Sequence, residues 1–230
     1  MLTVKSSQRS LQHIDNWLFD LDNTLYPATC NLQQQMSAQA QRLVCDLLGA
    51  SMEEARALQT TYMREYGTPL RGLIKHHGVT PEVYFEYIHN VDYLVVEANP
   101  VLNVLLDKLP GRKFVFTNGR ADHAERVLSR LGCATQFDAI FDIVSADYAP
   151  KPEAVVYDRV THAVGGDPRS IVLVEDVPDN LRPAAALGMT TVWVRNSSEF
   201  CHGTVGDHVH IIAEDLVSWL QEITSDHVSH

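Results

Sequence analysis

Asp20-Leu21-Asp22-Asn23-Thr24 places two carboxylates two residues apart, directly after the short apolar run Trp17 to Phe19. In extended chain, residues i and i+2 share a face, so both carboxylates can address one point. Such a stretch is also an ordinary turn, in which aspartates bond their own backbone. Three later segments weigh against that simpler reading. Lys113 to Phe116 runs into Thr117-Asn118-Gly119, Ile171 to Val174 runs into Glu175-Asp176, and Ala149-Pro150-Lys151-Pro152 holds a lysine between two prolines. Singly these are helix caps, a capping turn and an exposed charge. Together, at strand ends of one parallel sheet, they converge on a common place.

Convergence has an electrostatic consequence. Four carboxylates within several ångströms repel by about 4 kcal/mol per close pair at an effective dielectric near 20, and one lysine does not offset that. A hard divalent cation does. An all-oxygen donor set with positions left for water and a phosphate oxygen suits Mg²⁺, while calcium and manganese stay open because sequence does not set the radius of the site.

The elements that must position these residues follow from periodicity. Trp17 to Phe19 is too short for a helix and reads as a buried strand. Strands are expected again at 113–116, 140–144, 171–174, 190–194 and 208–212, and helices at 120–131, 153–164, 179–187 and 213–223. Strands alternating with helices imply a parallel sheet covered on both faces, an α/β architecture. The stretch from 27 to 100 interrupts the series and is almost wholly helical. Apolar residues recur at helical spacing over 31–48, Ser51-Met52-Glu53-Glu54 is a capping box opening a helix that Gly67-Thr68-Pro69 ends, and Thr80-Pro81-Glu82 opens another. A helix over 101–109 stops at Pro110-Gly111. The helical block is therefore expected over the carboxyl edge of the sheet, where such folds bind ligands.

Composition narrows the partners. With 18 Lys and Arg against 29 Asp and Glu the net charge is −11, a field that disfavours nucleic acid polymers and anionic membranes. No run approaches the roughly 20 apolar residues that cross a bilayer. The opening M-L-T-V-K-S-S-Q-R-S lacks the apolar centre of a secretion signal, so a cytoplasmic protein is expected. Cys30, Cys45, Cys133 and Cys201 are far apart and read as free thiols. His76-His77 and His208-x-His210 lack zinc spacing and read as surface or packing residues.

The set W-L-F-D-L-D-N-T-L-Y at 17 to 26, F-T-N-G at 116 to 119, P-K-P at 150 to 152 and V-E-D-V-P-D-N at 174 to 180 resembles the haloacid dehalogenase (HAD) superfamily, over nearly the whole chain and in order. The resemblance implies an α/β, Rossmann-like doubly wound parallel sheet, with residues 1–26 and 101–230 as catalytic core and 27–100 as an inserted all-helical cap. It makes Asp20 the nucleophile towards phosphorus and Asp22 the general acid, then the base that activates water. Thr117 and the Asn118 amide would bind phosphoryl oxygens, and Lys151 would offset charge on Asp20 and the phosphate. Asp20, the backbone oxygen of Asp22 and Asp176 would hold Mg²⁺, with Glu175 reaching the ion through water and Asn180 steadying the loop. Asp22 must be protonated in one step and ionised in the next, so crowding and burial are expected to raise its pKa.

Within the superfamily, dehalogenases lack the second aspartate, so Asp22 argues for phosphomonoester hydrolysis through an aspartyl-phosphate. A mutase shares all four motifs, and a phospho-accepting module without turnover is a further alternative. Lys75, the one lysine between 27 and 100, is read as a solvated side chain rather than the Schiff-base lysine of phosphonatases. Substrate choice falls to the cap. Tyr66-Gly67-Thr68-Pro69-Leu70-Arg71-Gly72-Leu73, with Tyr26 and Val91-Asp92-Tyr93-Leu94, looks like the pyrimidine 5′-nucleotidase branch. A tyrosine face can stack a base and an arginine can donate to its carbonyls. Tyr26, Tyr66 and Arg71 are thus the expected selecting residues and a pyrimidine nucleoside 5′-monophosphate the expected substrate, with small sugar phosphates as the alternative. For any one of Tyr62, Tyr66, Tyr84 and Tyr87, packing between the cap helices is the favoured reading.

Overall fold

The computed structural model describes residues 11, 13–196, 198, 201 and 203–225. The opening decapeptide lies outside them. Six strands, β1 (Asn16–Phe19), β2 (Arg112–Phe116), β3 (Ala139–Phe141), β4 (Ile171–Glu175), β5 (Thr190–Val194) and β6 (Ile211–Ala213), form one sheet. Their order is β3-β2-β1-β4-β5-β6 and every pairing is parallel. The chain winds outward from β1 in both directions, so the switch in strand order falls beside β1.

Nine helices complete the described structure: α1 (Leu32–Leu48), α2 (Met52–Tyr66), α3 (Pro69–His77), α4 (Pro81–Ile88), α5 (Pro100–Lys108), α6 (Ala121–Leu131), α7 (Ala154–Val164), α8 (Leu181–Ala186) and α9 (Leu216–Ser225). Alternation along the strands sorts the core into two faces. Trp17, Phe19, Val172 and Val174 pack with residues of α5, α6 and α9. Leu18, Ile171 and Leu173 pack with residues of α7 and α8. β1 and β4 are buried along their whole length, as strands covered on both faces must be. Among the described residues no helix is long and apolar enough to cross a membrane.

The helices α1 to α4 lie between β1 and α5 and build their own apolar cluster from Leu43, Tyr62, Leu73, Tyr84 and Phe85. The capping box at Ser51 forms as expected, with Ser51 and Glu54 bonding each other's backbone. Gly67-Thr68-Pro69 ends α2, but it also starts α3: Thr68 accepts from the Arg71 amide and Pro69 occupies the first turn. Gly72 lets α3 lie against α2, since a Cβ there would fall 2.2 Å from Tyr62 Cγ.

Four expected elements are shifted. β3 ends at Phe141 rather than 144, because Ile143 leaves the sheet and joins the apolar cluster of the inserted helices. Its apolarity serves a contact between the two layers. The last strand is Ile211–Ala213, not 208–212: His208 and His210 approach β5 through Thr191, whose Oγ1 donates to the His208 carbonyl at 2.6 Å and whose amide donates to His210 Nδ1 at 3.1 Å. A 3-10 turn, Pro178–Asn180, precedes α8, which starts at Leu181 instead of 179. The final helix begins at Leu216 instead of 213 because Ala213 is taken into β6.

Candidate active site

Register brings Asp20, Thr117 and Glu175 to one edge of the sheet. Phe19 pairs with Val115 on one side and Val174 on the other, so the next residue, Asp20, stands level with Phe116 and Glu175. The Asp20 amide continues the ladder to the Val174 carbonyl at 2.9 Å, and the Thr117 amide does so to Phe141 at 2.9 Å. Asn23 then takes a positive φ of 60°, which asparagine tolerates, and turns the chain away just after Asp22.

Lys151 is the hub. Its Nζ donates to Asp20 Oδ1 at 2.6 Å, to the Phe116 carbonyl at 2.8 Å and to Glu175 Oε1 at 2.9 Å. All three ammonium protons are thereby taken. Burial disfavours the charged lysine, but Asp20 and Glu175 outweigh burial and hold its pKa above the ordinary value. Asn118 anchors the lysine loop from both sides, accepting from the Lys151 amide at 2.8 Å and donating to its carbonyl at 3.3 Å. Both polar atoms of the Asn118 side chain are thereby engaged.

Glu175 is fully committed as an acceptor. Oε1 receives Lys151 and Asn180, and Oε2 receives the amides of Asp176 and Val177 at 2.6 and 3.0 Å. Burial raises its pKa, but Lys151 and these donors overcome burial and lower it. Asp20 goes the other way. Burial and then the charge of Glu175 push its carboxyl up to about 7, with Lys151 opposing. Asp176 is likewise raised well above its ordinary value by burial, Glu175 and Asp20. One oxygen from each of Asp20, Glu175 and Asp176 lies within 4.8 Å of the others, and of the three Asp20 and Asp176 keep acceptor positions for a hard divalent cation.

Asp22 departs from expectation. Burial raises its pKa, yet the charge and hydrogen bond of His123, the bond from Tyr26 and the charge of His89 together leave it below 3.8. Tyr26 donates to Asp22 Oδ1 at 2.5 Å and His123 Nε2 lies 2.8 Å from the same oxygen. Oδ2 faces the turn after β2. A Cβ at Gly119 would sit 3.8 Å from Asp22 Oδ2 and 3.3 Å from Thr117 Oγ1, so glycine keeps that floor open.

The expected selecting residues are placed differently. Tyr26 is only 2% exposed, with no ring face open to a base, and its hydroxyl is committed to Asp22. Arg71 pairs with Glu153 and also donates to the Tyr66 carbonyl. Tyr66 and Arg71 line a cleft of about 730 Å³ between α2, α3 and the loop 147–153. Pro150 and Pro152 line it as well, but Asp20, Asp22, Thr117, Lys151 and Asp176 do not. His76 and His77 bond the hydroxyls of Tyr66 and Tyr62, each at 2.7 Å. Lys75 is exposed over the Tyr66 ring, and Tyr62 and Tyr84 belong to the apolar cluster of α1 to α4.

Several contributors were not anticipated. Thr24 donates to Asp20 Oδ2 at 3.2 Å, and Asn196 donates to Asp176 Oδ2 at 3.1 Å. Trp193 Nε1 donates to the Asp176 carbonyl at 2.7 Å. His123 had a signal in the sequence: it shares the inward face of α6 with Ala124, Val127, Leu128 and Leu131, and a polar ring on such a face requires partners.

A haloacid dehalogenase-like hydrolase profile matches residues 14–188. The chain belongs to the haloacid dehalogenase-like hydrolases. Phosphate metabolism protein 8 of Saccharomyces cerevisiae is 28% identical over 191 residues, covering 75% of this chain and 59% of that protein. The chain thus spans somewhat over half of that relative. A HAD phosphatase from Thermococcus onnurineus superposes with a TM-score of 0.63 at 19% identity, covering 91% of this chain and 97% of that one. The L-2-haloacid dehalogenase of Xanthobacter autotrophicus superposes with a TM-score of 0.58 at 14% identity, covering 91% and 98%. Likeness to both phosphatase and dehalogenase shows that the HAD fold is shared; the choice of reaction rests with side chains.

Proposed function

We propose that this hydrolase cleaves small phosphate monoesters through an aspartyl-phosphate on Asp20. The observation that carries the reading is Asp22, with one oxygen clamped by two donors and the other facing the turn that holds Thr117 and Gly119. Expulsion of a halide needs no proton, whereas expulsion of an alkoxide does. An Asp20 oxygen attacks phosphorus as the ester P–O bond breaks, and Asp22 gives its proton to the leaving oxygen. Asp22 then takes a proton from water, the water oxygen attacks phosphorus, and the bond to Asp20 breaks to release inorganic phosphate. With its pKa low in the free protein, Asp22 acquires its proton when the phosphate's own negative charge arrives beside it.

Asp20, the Asp22 backbone oxygen and Asp176 are the proposed Mg²⁺ ligands. The raised pKa values of Asp20 and Asp176 support a cation here: burial first, and then the neighbouring carboxylates, disfavour their charged forms, which a bound cation would favour. When bound, the ion supplies positive charge against the phosphate and the carboxylates. Glu175, with its acceptor positions filled, orients Lys151 and the 175–177 loop.

The experiment is a panel of phosphate esters with and without EDTA. Phosphate release should stop on chelation and return with magnesium; release unaffected by EDTA would defeat the metal assignment. Magnesium affinity should also follow pH. Asp20 holds a proton below about 7, which the ion must displace, so binding weakens as pH falls through 7 and releases protons there. Calorimetry at pH 6 and pH 8 checks the sign.

For the substrate we propose a pyrimidine nucleoside 5′-monophosphate, supported by the segment 66–73. Arg71→Ala should raise KM for UMP by about tenfold or more, leaving p-nitrophenyl phosphate within a factor of two. Equal losses on both would instead make Arg71 a latch to Glu153. That latch, and the enclosed Tyr26 ring, favour small sugar or other metabolite phosphates as the second reading.

A further inference from the structure

We infer that His123 is a positioning residue for Asp22, and that Tyr93, on the segment returning from the cap, orients it. The inference rests on the phosphatase reading above and deepens it.

His123 lies in the first turn of α6 and is fully buried. Its Nε2 is 2.8 Å from Asp22 Oδ1, and its Nδ1 is 3.0 Å from the Tyr93 hydroxyl. A carboxylate only accepts, so Nε2 carries hydrogen and donates. Nδ1 is engaged by the Tyr93 hydroxyl, so the tyrosine holds the far side of the ring and keeps Nε2 turned to Asp22. Tyr26 brings a second donor to the same Oδ1. Two donors from different segments fix the carboxylate in rotation, leaving Oδ2 aimed at the turn where the phosphoryl group is proposed to sit.

The surroundings hold the ring as well. His89, at the end of α4, stacks on His123 with centroids 5.0 Å apart and planes inclined by 17°. Tyr93 belongs to a 3-10 turn, Tyr93–Val95, between α4 and α5, and Arg126 of α6 lies over its ring. Both residues that contact His123 from the cap side thus come from the path by which the chain leaves the inserted helices. The orientation of Asp22 depends on how that path is seated. A buried histidine kept only for packing would satisfy its nitrogens wherever convenient; here one of them is spent on the proposed proton donor.

Leaving-group dependence separates positioning from packing. Proton donation matters for phenolate and little for p-nitrophenolate, two leaving groups of nearly the same shape. The His123→Phe variant keeps the ring and removes both nitrogens. Its kcat/KM on phenyl phosphate should fall about tenfold or more beyond any fall on p-nitrophenyl phosphate, within the 10²–10⁴ that general acids contribute. His123→Gln, which can return an amide donor towards Oδ1, should recover phenyl phosphate to within about threefold. Tyr93→Phe should show the same leaving-group dependence at smaller amplitude. Equal loss on the two esters, or no recovery with glutamine, overturns the inference. If His123→Phe does not fold, Tyr93→Phe decides by the same comparison. Asp22→Asn is the control for the underlying reading: if it too lacks leaving-group dependence, the phosphatase mechanism fails, whereas dependence there with none in the His123 and Tyr93 variants removes this inference alone.

Discussion

Asp20→Asn should reduce phosphate release to below about one part in 10⁴ of the parent rate while making the metal-free protein more stable at pH 8. The first effect follows from the role proposed for the carboxylate oxygen: an amide neither attacks phosphorus nor carries an acyl phosphate, so acid-quenched protein should hold no phosphate. The second effect follows from linkage. The folded-state pKa of Asp20 is raised from 3.8 to about 7, so its contribution to stability is fully present below about 4 and is lost as pH rises through 7. Asparagine has the same size, still accepts from Lys151 and loses nothing on that rise. Thermal melts in EDTA should therefore show the variant melting higher at pH 8, with the gap closing as pH falls towards 4. A variant that is less stable at pH 8, or that still forms phosphoprotein, would contradict the charge balance drawn for this centre.

Lys151→Met should have the largest effect on folding. The Lys151 side chain is 1% exposed and its ammonium bonds both Asp20 and Glu175. Removing one partner of a buried ionic cluster costs about 3–5 kcal/mol because the charges left behind lack compensation. For a chain of this size that is a fall in Tm of roughly 6–20 °C. Activity should fall with it, since Asp20 loses the cation that holds its carboxylate. The double variant Lys151→Met with Asp20→Asn should recover part of the stability and none of the activity, because one stranded charge is gone and the nucleophile with it. Denaturant titration of the three proteins checks this. A single variant within about 1 kcal/mol of the parent would show that water already screens the cluster.

The two predictions share a cause that the sequence made visible. Acidic and hydroxyl residues stood at the ends of short apolar runs, and in a parallel sheet those ends meet on one edge; Lys151, expected at a strand end as well, lies instead ten residues beyond β3 in the loop before α7. β1, β2 and β4 do meet there, in a register that sets Asp20 level with Glu175. Alternation of Trp17, Leu18 and Phe19 between two cores was equally legible, because strand periodicity reflects burial on both faces. Less legible were elements whose apolar residues serve another layer. Ile143 looks like strand but packs with the helices α1 to α4, and α3 was obscured by a Gly-Thr-Pro that reads as a stop although it caps the next helix.

Residue roles divided along the same line. The sequence by itself determined which groups are on offer, because carboxylates at the ends of β1 and β4 and a lysine between two prolines are matters of residue type. Tertiary structure alone decided which side chains those groups lean on. Asp22 meets His123 across 101 residues and Lys151 meets Asp20 across 131, while Arg71 is drawn to Glu153 across 82. Periodicity reports only which face a residue turns inward. Which partner waits there, and so whether a carboxyl is pushed up like Asp20 or held down like Asp22, is set by the packing of layers that no local pattern encodes.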